Sequence, residues 1–217
     1  MTEILLYGPI GDPVSGRTST DIAREVTAAD PAAPIVLRIN SGGGDVMEGI
    51  AMLTSLGRHP AGFRAEIDGI AASMAAIIAM QANHRTMPAD GWLMFHRISA
   101  AAGGTAPELI ELAGRMERME ENMVSFLARN LGKPTPEILT MLDEAIWLNG
   151  DDALAAGMVD DLTPAAAIAA DLGFAGSLDR RGAPVGALSF LDKTPAPSAT
   201  CTQEHENPEI AFFYYGN

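Results

Sequence analysis

Ile39-Asn40-Ser41-Gly42-Gly43-Gly44-Asp45-Val46 carries more information about this chain than any other segment. Before it, Ile35-Val36-Leu37-Arg38-Ile39 is nearly continuous in apolar character, which predicts a strand in a sheet covered on both faces. After it, Val46, Ile50, Leu53 and Leu56 recur at helical spacing until Gly57 and Pro60 stop the helix. A strand that runs through glycines into a helix leaves its backbone bare. The N–H groups of such a turn can approach a ligand closely, and the next helix points its positive end the same way.

A second segment follows on the next strand. Phe63 to Ile67 reads as that strand, and Gly69-Ile70-Ala71-Ala72-Ser73-Met74-Ala75-Ala76 reads as the opening of a helix from about Ala72 to Ala82. It embeds one hydroxyl in small apolar residues. Trp92 to Ile98 predicts a further strand, with Trp92, Met94 and His96 on one face. A loop of backbone donors, a serine at a helix start and a histidine nearby are the parts that acyl transfer needs: an oxyanion pocket, a nucleophile and a base.

None of these signals is specific by itself. Ser73 alone reads as a small packing residue and His96 as a satisfied sheet histidine. Gly42–Gly44 alone reads as a tight turn that matches neither the phosphate loop nor the dinucleotide fingerprint. His59 and His84 read as surface residues at element ends, and no His, Cys and carboxylate cluster has metal-ligand spacing, so no cofactor or metal is expected.

Elsewhere the pattern is an alternation of strand and helix, which argues an α/β domain with a largely parallel sheet. Residues 3–8 predict the first strand, and Ser19 or Thr20 caps a helix to about residue 28. Thr105-Ala106-Pro107-Glu108 is a capping box that opens the longest helix, and Gly132-Lys133-Pro134 closes it. Between them Leu109, Leu112, Met116, Met119, Met123 and Phe126 form one apolar stripe, long enough to suggest packing on a neighbouring copy as well as on the sheet. A helix from Pro136 to about Glu144 and a short one within residues 151–162 follow. Residues 176–210 are rich in Gly, Pro, Ser, Thr and charge and predict a linker or tail, which ends in the apolar cluster Phe212-Phe213-Tyr214-Tyr215.

Composition limits the partners. The formal net charge is −14, and Lys133 and Lys193 are the chain's lysines, so the basic clusters that neutralise phosphates are missing and nucleic acid is not expected. The same balance argues against anionic lipid. The run from Gly69 to Met80 is about half a bilayer span and predicts a buried helix, so no membrane partner is expected. The single cysteine, Cys201, precludes an intrachain disulfide, and the N-terminal residues lack the basic region of a signal peptide. Together these readings point to the cytoplasm.

The ordered set of segments resembles the ClpP-type serine peptidases. Arg38 to Ala51 is similar to their "INSPGG" segment with glycine for proline, Gly69 to Met74 to their nucleophile segment, Met94-Phe95-His96 to their histidine segment, and Asp152 to Asp160 to their "EAxxxGLVD" segment. The wording "INSGGGDV" and the pair Trp147-Leu148 lean towards the ClpP-like head maturation proteases of tailed phages and prophages. The resemblance implies an α/β fold of repeated β-β-α units, shared with crotonases, with a long handle helix. The peptidase domain would cover residues 1–162, and residues 163–217 would form a flexible, partly disordered C-terminal extension. It implies a serine endopeptidase acting on protein or peptide substrate in a homo-oligomeric ring. If the phage leaning holds, the substrates are capsid or scaffold proteins inside a prohead. An AAA+ unfoldase is compatible with the resemblance and not implied by it.

Residue by residue, Ser73 resembles the nucleophile and His96 the general base, with the backbone N–H groups of Gly44 and Met74 as the oxyanion hole. Gly44 is expected to keep a side chain out of the substrate's path. The third member departs from the family: the acid's position holds Ala145, with Asp143 and Glu144 just before it. Either Asp143 or Glu144 takes the role, or the site is a Ser–His dyad. The alternatives are a catalytically impaired ClpP-like structural subunit and a crotonase-type acyl-CoA enzyme. A Ser–Lys peptidase fits poorly, because Lys133 and Lys193 fall outside the segments that would frame the site.

Overall fold

The computed structural model describes residues 1–163. Cys201, the tail reading over 176–210 and the Phe212–Tyr215 cluster lie outside the described residues.

Three strand–helix units come first: β1 (Glu3–Tyr7), α1 (Ser19–Ala28), β2 (Ile35–Ser41), α2 (Val46–Gly57), β3 (Phe63–Ala72) and α3 (Met74–Ala79). Then come β4 (Arg85–Pro88), β5 (Trp92–Met94), α4 (Ala106–Leu131), α5 (Thr135–Asp143), β6 (Trp147–Asn149), α6 (Gly150–Ala155) and β7 (Asp161–Thr163). The protein is α/β, with strand order β1-β2-β3-β4-β7 in parallel pairing. The ten-residue β3 has two successive neighbours on one side: β4 beside Ala65–Glu66 and β5 beside Ile70–Ala72. β6 adds antiparallel to β5. Burial is deepest where α1, α2 and α3 lie against the sheet, with Leu37, Ile39, Met52, Leu56, Ala65 and Ile78 at 0–1% exposure. Each such aliphatic side chain contributes about 1.5–3 kcal/mol when fully removed from water.

Several sequence expectations shift here. Thr18, one residue before the expected caps, opens α1, because Thr18 and Asp21 form a reciprocal capping box. Ile70-Ala71-Ala72 is strand and not helix. Ser41 on one side and β5 on the other pair with it, so tertiary pairing overrides the helix preference of alanine. The expected strand 92–98 is shorter: β5 ends at Met94, one further cross-strand bond runs from Phe95 N–H to Ile146 O at 3.1 Å, and residues 96–98 are not paired. β4, β6 and β7 have three or four residues each, too short to show a period.

β2 is covered on one face by the helices, while its other face carries Val36, buried, Arg38, half-buried, and Asn40, exposed. There Arg38 bonds Asp68 and Glu66, and Tyr7 Oη donates to Asp68 at 2.7 Å. Beside Asp68 the guanidinium is held well above its usual range. His59, expected at the surface, is 6% exposed, with Nδ1 3.2 Å from Gly62 O. His84 is at the surface and faces Asp161. α4 begins at the Thr105–Glu108 capping box and ends at Gly132 in the left-handed region, as the sequence predicts. Among the described residues no helix is long and apolar enough to cross a membrane.

Candidate active site

The site forms where β2, β3 and β5 end. Ser73 is the residue between β3 and α3. Its φ of 54° and ψ of −126° lie outside the regions that L-residues favour, at a cost of about 1–3 kcal/mol. The turn is held from both sides. Ser73 N–H donates to Met94 O at 2.9 Å, and Ser73 O accepts from Ile77 N–H in the first turn of α3. Because β5 runs parallel beside Ile70–Ala72, the chain leaving Met94 passes directly by Ser73, and His96 lies two residues on.

His96 Nε2 and Ser73 Oγ are 2.8 Å apart. With the ring proton on Nδ1, the serine hydroxyl donates to Nε2, the geometry a general base needs before it takes that proton. Burial pushes the imidazole below its ordinary 6.5, with the backbone of Arg97 acting in the opposite direction. At neutral pH the ring is therefore neutral and able to accept.

The glycine loop packs against this pair. Gly43 has φ 96°, and a Cβ there would sit 2.7 Å from Ser73 Cβ and 2.8 Å from Ala72 O. Gly44 has φ 148°, and its Cβ would sit 2.3 Å from Ile10 O. That clash gives a reason for glycine at 44 within the chain itself, the Gly8–Ile10 segment. This segment continues β1 alongside the loop. Gly8 N–H donates to Asn40 O at 3.1 Å, Ile10 N–H to Gly43 O at 2.9 Å, and Asp45 N–H to Ile10 O at 3.0 Å. Buried Ser41 closes the loop from within: its Oγ donates to Gly8 O at 2.7 Å and accepts from Gly43 N–H at 3.1 Å. The N–H groups of Gly44 and Met74 donate no hydrogen bond within the described residues. Asp45 then caps α2 by accepting from Glu48 N–H at 2.8 Å.

The structure brings Ser73, His96 and the glycine loop together, and it places the two candidate acids elsewhere. The Asp143 carboxylate accepts from Arg97 Nε, and this bond holds it below its usual pKa. Glu144 is the exposed C-cap of α5 and has no hydrogen bond to His96. Ala145, at the family's acid position, follows in the left-handed region with φ 49°. Ala145 N–H bonds Leu142 O and Ile146 N–H bonds Met141 O, a Schellman ending of α5. Among the described residues no carboxylate bonds the imidazole, and no His, Cys, Asp and Glu group is arranged to hold a metal.

Sequence reasoning missed two supports of the site: the Gly8–Ile10 segment and Arg97. Neither has a local signature, since their partners lie tens of residues away.

A family model described as Clp protease matches residues 2–166. The chain belongs to the Clp protease family. It is similar to the ATP-dependent Clp protease proteolytic subunit 3 of Rhodococcus jostii (strain RHA1), 34% identical over 159 residues, which cover 72% of this chain and 78% of the relative. Subunit 2 of the same organism is 28% identical, covering 78% of this chain and 88% of the relative. The proteolytic subunit of Streptococcus suis (strain 98HAH33) is 27% identical, covering 73% and 83%. As a member of the Clp protease family the protein is a serine-type peptidase.

Proposed function

We propose that this serine peptidase of the Clp family is an endopeptidase that works through a Ser73–His96 dyad. The observation that carries the reading is the 2.8 Å contact between Ser73 Oγ and His96 Nε2 at a strained strand-to-helix turn beside a glycine loop. His96 removes the hydroxyl proton as Ser73 Oγ attacks the carbonyl carbon of a peptide bond. The tetrahedral oxyanion is held by the N–H groups of Gly44 and Met74. The imidazolium then gives its proton to the leaving amine, and a water repeats the sequence on the acyl-enzyme. With Asp143 engaged by Arg97 and Ala145 in the acid's place, the histidine works without a carboxylate partner.

The half-exposed apolar stripe of α4 supports a ring-shaped homo-oligomer, in which the site would face an enclosed chamber. The "INSGGGDV" wording favours phage or prophage capsid and scaffold proteins as substrates. The absent acid favours a second reading, a structural subunit of reduced activity, and one experiment separates the two. A fluorophosphonate probe is expected to label the wild type at Ser73, to leave Ser73→Ala unlabelled, and to label His96→Ala at a trace rate. Wild-type protein that resists the probe under conditions where a control serine peptidase reacts would sink the peptidase role of this site.

A further inference from the structure

His96 stands one residue beyond the last bond of the sheet, at the start of a stretch with no regular structure that runs to Thr105. A general base in such a place needs something to hold it. The bond to Ser73 cannot do so by itself, since it must break and reform during each turnover. The acid that would grip Nδ1 in a triad is missing. What the structure supplies lies on either side of the histidine. On the N-terminal side, Phe95 is fully buried and its N–H donates to Ile146 O at 3.1 Å. On the C-terminal side, the Arg97 guanidinium spans two carboxylates: Nε donates to Asp143 and Nη1 donates to Glu120 Oε1 at 2.6 Å. The second oxygen of Glu120 accepts the N–H of Ile98 at 3.3 Å. Glu120 is on α4, and its side chain is 13% exposed; Asp143 is the last residue of α5.

Both flanks of His96 are thus bonded to one structure. Asp143 and Ile146 belong to the same α5–β6 turn, which is closed internally by Ile146 N–H to Met141 O. We propose that the Glu120–Arg97–Asp143 clamp is the positioning device that replaces the triad acid, holding the backbone of residues 96–98 so that His96 Nε2 stays on Ser73 Oγ. The inference rests on the dyad reading above. The Arg97 guanidinium bonds Asp143 and Glu120 and not the imidazole; it acts through the main chain. The planar fork of arginine suits the task, because one guanidinium can serve two carboxylates in fixed directions, which a lysine ammonium cannot. The Arg97 side chain is 49% exposed, and without it Glu120 still accepts the Ile98 N–H, so the clamp's removal is expected to spare the fold. A misplacement of about 1 Å at a reacting group can cost about 10²-fold in rate.

Steady-state cleavage of a fluorogenic peptide tests this. Arg97→Met is expected to lower kcat by ten- to a hundredfold with KM little changed, and Arg97→Lys to recover part of the loss. The acid limb of the pH profile should move up towards the ordinary histidine value, because a released segment lets water reach the imidazole. The opposite view, in which Asp143 itself orients His96, predicts that freeing Asp143 from Arg97 leaves the rate unchanged or raises it. That result, or a full rate with an unshifted profile in Arg97→Met, overturns the clamp. Should Arg97→Met misfold, Glu120→Gln decides: it weakens one arm and should lower kcat in the same direction, and an unaltered kcat there also overturns the proposal. Ser73→Ala, run alongside, separates the two levels of the argument. Residual cleavage by Ser73→Ala removes the dyad reading, whereas an inactive Ser73→Ala beside a fully active Arg97→Met removes the clamp alone.

Discussion

Ser73 and His96 act as a unit if the hydroxyl proton moves between them, so their losses should not add. Ser73→Ala is expected to abolish peptide cleavage with the melting temperature little changed, and the Ser73→Ala/His96→Ala pair to be no less active than either single variant. Burial of the imidazole fixes the sign of the pH response. The base works only when neutral, and burial lowers its pKa, so the acid-limb midpoint of kcat/KM should lie below the ordinary histidine value of 6.5. A midpoint above 6.5 in the acid limb would contradict the buried environment. Gly43→Ala should be inactive, because its Cβ would push on Ser73 Cβ and because φ 96° strains any L side chain. Ala145 is already in the left-handed region, where Asp is more readily tolerated than Ala. Ala145→Asp is therefore expected to fold, and to raise kcat if the position still reaches His96; an unchanged rate measured on the same peptide would show that it does not.

At the scale of elements, α4 divides into two halves with different surroundings. Val124 and Leu127 are buried and Met123 and Phe126 pack against the core, while Leu109 and Ile110 at the other end are 41% and 73% exposed. At about 1.5 Å per residue, the 26 residues span about 39 Å, and the buried positions of the helix, Val124 and Leu127, both fall in its C-terminal half. Leu127→Ala should cost about 2–5 kcal/mol in denaturant titration, because it empties a filled site. Leu109→Glu with Ile110→Glu should change monomer stability by no more than about 0.5 kcal/mol per substitution. The same pair should nevertheless lower the mass seen by light scattering if α4 seats a neighbouring copy. The periodicity of this helix was legible because caps and stripe are local features. The division into a packed and an unpacked half was not, since it depends on where the sheet and α5 end.

For the whole molecule, assembly is the property that would connect these parts. A single chain has a mass of 22.8 kDa, and an active preparation is expected to scatter as a multiple larger than a dimer. An active species at the monomer mass would remove the ring from the proposed function without touching the chemistry of Ser73. The net charge of −14 adds a constraint, because copies that associate must bring their apolar faces together against mutual repulsion. Added salt should therefore favour the larger mass.

Much of the protein follows from short-range pattern. The order of the strand–helix units, the glycine turn, the caps of α4 and the pairing of Ser73 with His96 as candidates were legible in the sequence because each rests on residue spacing or on one residue's backbone freedom. The ordered wording of its segments was also enough to suggest the family to which the chain belongs. Other features required the folded chain. Ile70-Ala71-Ala72 is strand because Ser41 and β5 lie on either side of it, although its composition favours helix. Gly44 is needed on account of Ile10, and Asp143 is turned to Arg97 instead of His96. In each case the deciding partner is tens of residues away. Hydrogen-bond direction and steric exclusion act between neighbours in space, and no local period in the chain records which neighbours those will be.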